Sequence, residues 1–307
     1  MIRLLTNLES FPATVLAQVT MLLLAAIVIH QTAPRSPAAR HAVLFWALIA
    51  AGFCPLLNCA VRSLGFAPLT TASSVPPPNS PSYSENVVES LVSGIHSESP
   101  ARFPLADMLP VLWLAGTLLA LVRLGRGWHV THTIRRASRP IAGELPEPVL
   151  NRLSMHLGRA PPEILISDRI RVPMAVGCFR SVILLPSTLR PMLDDRQLLQ
   201  VLIHECAHAV RRDPLVGLYQ RILAAAFWFH PLVHLANRLL DRAREELCDN
   251  HVLRSVAPTE YSRTLLTIAE SISLVPNGLL TQTLFQSARH LDHRVAGLLN
   301  PRRCTMI

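Results

Sequence analysis

The chain has 307 residues, half of them hydrophobic and only 16% charged, and 29 basic against 20 acidic residues give a formal charge of +9. Every basic residue is arginine, and the arginines are not interleaved with aromatics, so the charge points to a membrane surface rather than to direct nucleic-acid binding. Six scattered cysteines without a C-x-x-C pair argue against a disulfide framework or a structural zinc knot, and twelve glycines leave little room for a phosphate-cradling loop.

Three apolar stretches are long enough to cross a bilayer, at about 12–29, 42–61 and 108–122. The first carries no charge and exceeds the usual apolar core of a signal peptide, so it reads as an uncleaved span, with a signal peptide as the alternative. Arg35 and Arg40 follow the first stretch, and Arg123, Arg126, Arg135, Arg136 and Arg139 follow the third. The loop at 64–104 instead carries Glu85, Glu89 and Glu98 against Arg102. The positive-inside rule then puts the N-terminus and this loop outside, and everything after the third span inside. Ser74, Pro76, Pro77, Pro78, Ser80 and Pro81 make the loop read as flexible or disordered rather than as a sensor domain. The expected division is a membrane region, 1–127, and a cytoplasmic domain, 128–307.

The second part reads as a small mixed domain. A helix is expected over 147–157, and strands over 163–167 and 175–185 with a bend near Gly177 and Cys178. His204-Glu205-Cys206-Ala207-His208 follows, inside an apolar run that begins after Asp194 and Asp195 and stops near Asp213-Pro214. On a helix, positions i and i+4 share a face, so His204 and His208 can offer two imidazoles to one zinc ion. Glu205 sits beside them as a candidate base. Cys206 points away from that face.

A catalytic zinc needs a third ligand. Glu245 is the leading candidate. Asp249 lies four residues on, placed to accept a hydrogen bond from a ligand histidine. Cys248, Asp249 and His251 are rival ligands, and Glu246 points about a third of a turn away. The uncharged stretch 222–237 must not cross the bilayer, or His208 and Glu245 would lie on opposite sides. Pro231 divides it, so it reads as two helices packed on the core of the domain that carries the motif or lying at the membrane surface. His230 and His234 are also four apart but lack an intervening Glu, and read as core or interfacial residues. A further helix is expected over 261–271.

The wording H-E-x-x-H followed by E-x-x-C-D resembles the BlaR/MecR family of membrane metallopeptidases, the β-lactam-sensing antirepressors and their relatives. The run from Val172 to Pro186 is similar to the family's P-x-x-x-G-x-x-x-P-x-I-x-L-P stretch, with Ser181 where a proline is usual. Arg211-Arg212-Asp213-Pro214-Leu215 and Phe227-Trp228-Phe229-His230-Pro231-Leu232 resemble family segments as well. The likeness is close over 160–253 and loose elsewhere.

The resemblance implies a helical bundle of three spans followed by a mainly helical α+β, gluzincin-like zinc metallopeptidase domain, in a bacterial inner membrane. His204, His208 and Glu245 would hold Zn2+, Glu205 would be the general base, and Asp249 would orient a ligand. Arg294 resembles a late arginine of related membrane zinc peptidases and is a candidate oxyanion stabiliser, the alternative being a surface ion pair. In zinc peptidases a strand edge beside the motif helix pairs with extended substrate. Ala175, Val176 and Gly177 are the candidates, the alternative being an ordinary core strand. Implied partners are the lipid bilayer, a protein substrate such as a winged-helix repressor, and a second copy in a dimer.

Three functions compete: a regulatory antirepressor-type protease, a housekeeping membrane protease of the HtpX or prenyl-protease kind, and a non-catalytic scaffold stabilised by zinc. The E-x-x-C-D wording favours the first over the second, and Glu205 argues against the third, since a structural site needs no base. Sensors of the family carry a fourth span and an extracellular penicillin-binding domain after the protease, and Ile307 falls where that span would begin.

Overall fold

The computed structural model describes residues 2–32, 36–64, 105–141, 143, 145–273 and 294–298. The Pro/Ser-rich loop expected at 64–104 lies outside these residues except for Leu64, as does Cys304.

Three long helices come first: α1 (Ile2–Thr32), α2 (Pro37–Ser63) and α3 (Leu105–Ala137). Each contains a stretch long and apolar enough to span a membrane, at Ala13–Thr32, Pro37–Val61 and Met108–Ala137. The third helix is longer than the expected span and runs unbroken through the boundary drawn at 127/128.

After β1 (Arg139–Pro140), α4 (Glu147–Leu157) stops at Gly158, whose left-handed backbone (φ 63°) closes the helix. Three further strands follow: β2 (Ile164–Ser167), β3 (Met174–Val176) and β4 (Val182–Pro186). The sheet order is β1-β2-β4-β3, with β2 and β4 parallel and β3 antiparallel to β4 at one edge. β2 and β4 are buried along their whole length, as expected of apolar strands covered on both faces.

Four helices follow: α5 (Asp195–Val210), α6 (Asp213–Ala226), α7 (Pro231–Leu253) and α8 (Pro258–Ser273). α5 begins with a full capping box. The Asp194 carboxylate accepts from the Gln197 backbone N–H, and the Gln197 side chain accepts from the Asp194 N–H. The stretch 222–237 is broken at Phe227–His230, so α6 and α7 form a hairpin.

Two cores result. One packs α4, α5 and α8 against one sheet face, through Leu153, Ile183, Leu202, Cys206 and Tyr261. The other joins α1 and α2 to the α6–α7 hairpin, through Val19, Leu23, Leu44, Leu48, Phe227, Val233 and Leu240. The α6–α7 hairpin and the first two long helices therefore share a core.

Candidate metal centre

Four elements converge on the motif. His204, Glu205 and His208 stand on α5, Glu245 and Asp249 on α7, Tyr261 on α8, and Arg294 on a short helical turn at 294–298. The helical repeat stacks His204 above His208 with Nε2 atoms 3.2 Å apart. Glu245 presents one carboxylate oxygen 3.5 Å from His204 Nε2 and the other 3.5 Å from His208 Nε2.

This triangle suits a metal. Three corners of a tetrahedron with zinc–ligand bonds near 2.0–2.1 Å lie roughly 3.3 Å apart. The donors, two imidazoles and a carboxylate, are borderline-hard and suited to zinc. Glu245 is pulled both ways. Burial opposes its charge, but His208, His204 and Arg294 outweigh that and hold its carboxyl well below the usual range.

Each imidazole is fixed by a carboxylate on its far nitrogen. His208 Nδ1–H donates to Asp213 at 2.8 Å, and His204 Nδ1–H donates to Asp249 at 3.2 Å. Such bonds set the tautomer that leaves Nε2 free to ligate. Asp249 also accepts from Tyr261 at 3.0 Å and from Arg294 at 2.7 Å. Burial works against the charge of Asp249, yet Arg294 and His204 override it and hold the carboxyl below its ordinary range. Arg294 is thus anchored inside the site rather than paired at the surface. Its Nη1 lies 3.8 Å from Glu245 and its Nη2 donates to the Tyr261 hydroxyl at 2.7 Å.

The remaining candidates separate. Glu205 is buried one position along α5. Glu246 turns away and accepts from Arg40 on α2 at 2.8 Å and 3.0 Å. Cys206 lies in the core beneath α5, its thiol pushed up to about 12 by burial and the Glu205 charge. Cys248 lies 3.4 Å from His208 Nδ1 and 3.7 Å from Asp213. Burial, then the neighbouring carboxylates, push this thiol well up, so it rests as a neutral thiol beside the imidazole. Ala175 and Val176 lie on the edge strand β3, and Gly177 follows it with φ 97°. A Cβ at Gly177 would meet the Arg180 carbonyl, so the turn requires glycine.

Two residues of the centre were not singled out from sequence. Asp213 reads as a helix stop. In the structure Arg212 adopts a left-handed backbone (φ 58°) between α5 and α6, and Asp213 opens α6 with its carboxylate on His208. Its signal is an acid five residues after the second histidine. Tyr261 enters the sequence reading only as the start of the helix expected over 261–271, and no local pattern marks its hydroxyl as a partner of Asp249.

Known proteins resemble this chain over much of its length. Over 156 residues the chain is 23% identical to the methicillin resistance mecR1 protein of Staphylococcus aureus, covering 51% of this chain and 27% of that protein. Over 138 residues it is 28% identical to the regulatory protein BlaR1 of Bacillus licheniformis, covering 44% and 23%. A shorter match at 28% identity links it to BlaR1 of Staphylococcus aureus, covering 36% and 19%. The matched region thus spans about a quarter of the length of these relatives. The family model for BlaR1 peptidase M56 matches residues 11–298, from the first span to the helical turn that carries Arg294, and the chain belongs to that family.

Proposed function

We propose that this protein is a membrane-embedded zinc endopeptidase that hydrolyses a peptide bond of a protein substrate at the cytoplasmic face. The observation that carries this reading is the triangle of His204, His208 and Glu245, each imidazole backed by a buried carboxylate. A zinc ion held there would polarise the scissile carbonyl and acidify water.

The protein's own groups do the rest. Glu205 takes a proton from the attacking water and returns it to the leaving amine. Asp213 and Asp249 hold the two imidazoles in the ligating tautomer. Arg294 neutralises Asp249 and stands 3.8 Å from Glu245, within reach of charge that develops on a substrate oxygen. β3, at the sheet edge beside α5, is the strand that would pair with an extended peptide.

Resemblance to regulatory proteins favours a signalling role, with a cytoplasmic repressor or the chain itself as substrate. The test is purified protein in lipid, assayed for zinc and for self-cleavage. Glu205→Ala should keep zinc and fold and lose cleavage. Undiminished cleavage by that variant would overturn the mechanism.

A further inference from the structure

The hairpin of α6 and α7 does not rest on the catalytic domain alone. Its tip, Phe227–His230, reaches residues in the interior of the three apolar helices. His230 Nε2–H donates to Thr20 of α1 at 3.0 Å. The Tyr219 hydroxyl donates to the Leu48 carbonyl of α2 at 2.8 Å. The Trp113 indole of α3 donates to the Ala226 carbonyl at 2.9 Å, and the Trp228 indole returns a bond to the Trp113 carbonyl at 3.3 Å. Thr20 is seven residues from the start of its candidate span at Ala13, about 10 Å along the helix, and Leu48 is eleven residues from Pro37, about 16 Å. These contacts put the tip at the level of hydrocarbon.

The metal centre lies about two-thirds of the way along α7 from the tip. From Pro231 to Glu246 α7 rises through fifteen residues, about 22 Å. Glu246 pairs with Arg40, close to the end of α2.

We propose that the α6–α7 hairpin is a re-entrant element that enters the bilayer from the face bearing the metal centre and turns within it. Acyl chains cover its outer surface, on Ile222, Trp228, Phe229 and Leu235. This rests on reading α1, α2 and α3 as spans. Three further features fit. Those four residues are large, apolar and exposed, and Trp228 bonds Trp113 of α3, whose chain neighbours Leu112 and Leu114 are exposed as well. Non-helical backbone at membrane depth must find partners in protein. Here the carbonyls of Ala226 and Trp228 are capped by Trp113 and by His234 at 2.8 Å, and Gln220 and Asn237 pair side chain to backbone in both directions across the hairpin. Glycines admit the close approach: a Cβ at Gly52 would strike Tyr219, and one at Gly116 would strike the Trp228 ring. Arg221 and Arg238 bound the uncharged stretch, one on each helix.

The experiment uses the full chain in vesicles. A variant retaining only Trp228, and a second retaining only Trp46 of α2, are mixed with lipids brominated on the acyl chain. Both tryptophans should lose emission to the same extent, and neither should respond to an aqueous quencher. Wild-type protein is also photolabelled with a lipid that bears a diazirine on its acyl chain, so that no substitution is needed, and adducts should fall within 222–237. Loss of emission for Trp46 but not Trp228, with no adduct in that stretch, overturns the re-entrant hairpin and leaves the spans standing. If Trp46 also escapes quenching, the spans fail and the hairpin with them.

Discussion

Arg40 of the second span and Glu246 of the catalytic domain are joined through a single nitrogen, Nη2, which donates to both carboxylate oxygens. Glu246 is the immediate neighbour of Glu245. One of two adjacent acids therefore faces the metal triangle and the other grips a membrane helix.

Substitution separates these two roles. Glu245→Ala should strip zinc from the purified protein, while Glu246→Ala should retain it, as read by metal analysis per chain. Zinc lost from Glu246→Ala and kept in Glu245→Ala would reverse the ligand assignment.

The acids behind the imidazoles should matter almost as much as the ligands. Asp213→Ala and Asp249→Ala should each weaken zinc binding by about 10–100-fold, the usual cost of losing such a partner. Competition against a chromogenic chelator measures this, and unchanged affinity in both would refute the assigned roles. Asp249→Ala should also be the less stable of the two, because it leaves Arg294 buried without its main counter-charge.

Protons should compete with the metal at His204. Burial and Arg294 pull its pKa down, but hydrogen bonds to Asp249 and Glu245 prevail and raise it to about 9 in the absence of metal. In chelator-treated protein the charged imidazole then contributes stability that is complete below about 6.5 and is lost as the pH rises through about 9. Zinc must displace this proton, so affinity should climb by about tenfold per pH unit below that value. Calorimetry in buffers of different ionisation enthalpy gives the check, and a binding heat that is the same in all of them would count against it.

Topology can be read by cysteine labelling in intact cells. A cysteine at Ser82 should react with an impermeant reagent, and cysteines at Ser187 and Ser255 should react only after the membrane is opened. Labelling of Ser255 but not Ser187 from outside would mean that 222–237 crosses completely, which the shared triangle of His208 and Glu245 forbids.

Much of the centre is legible in the chain because it is local. The helical repeat alone brings His204 to His208 and Glu245 to Asp249. Asp194 and Gln197 announce the start of α5 through short-range hydrogen bonds, and Pro231 divides the apolar stretch after α6. The illegible parts depend on distant chain segments or on a special backbone angle. Asp213 reaches His208 only because Arg212 accepts a left-handed conformation. Tyr261 and Arg294 meet Asp249 from elements 12 and 45 residues away, and Arg40 meets Glu246 across 206. No periodicity in a single sequence encodes such meetings.

The unbroken course of α7 has a mechanical consequence. One rod of 23 residues bears Glu245 about two-thirds of the way along, and the residues leading into it, Trp228 and His230, are bonded to α3 and α1. Metal–ligand distances tolerate only about 0.2 Å. A helix transmits displacement along its axis with little loss, so a slip of the spans far smaller than one helical turn would draw a ligand oxygen out of register. The lever connecting bilayer to chemistry would thus operate on tenths of an ångström, with no need for the catalytic domain to open.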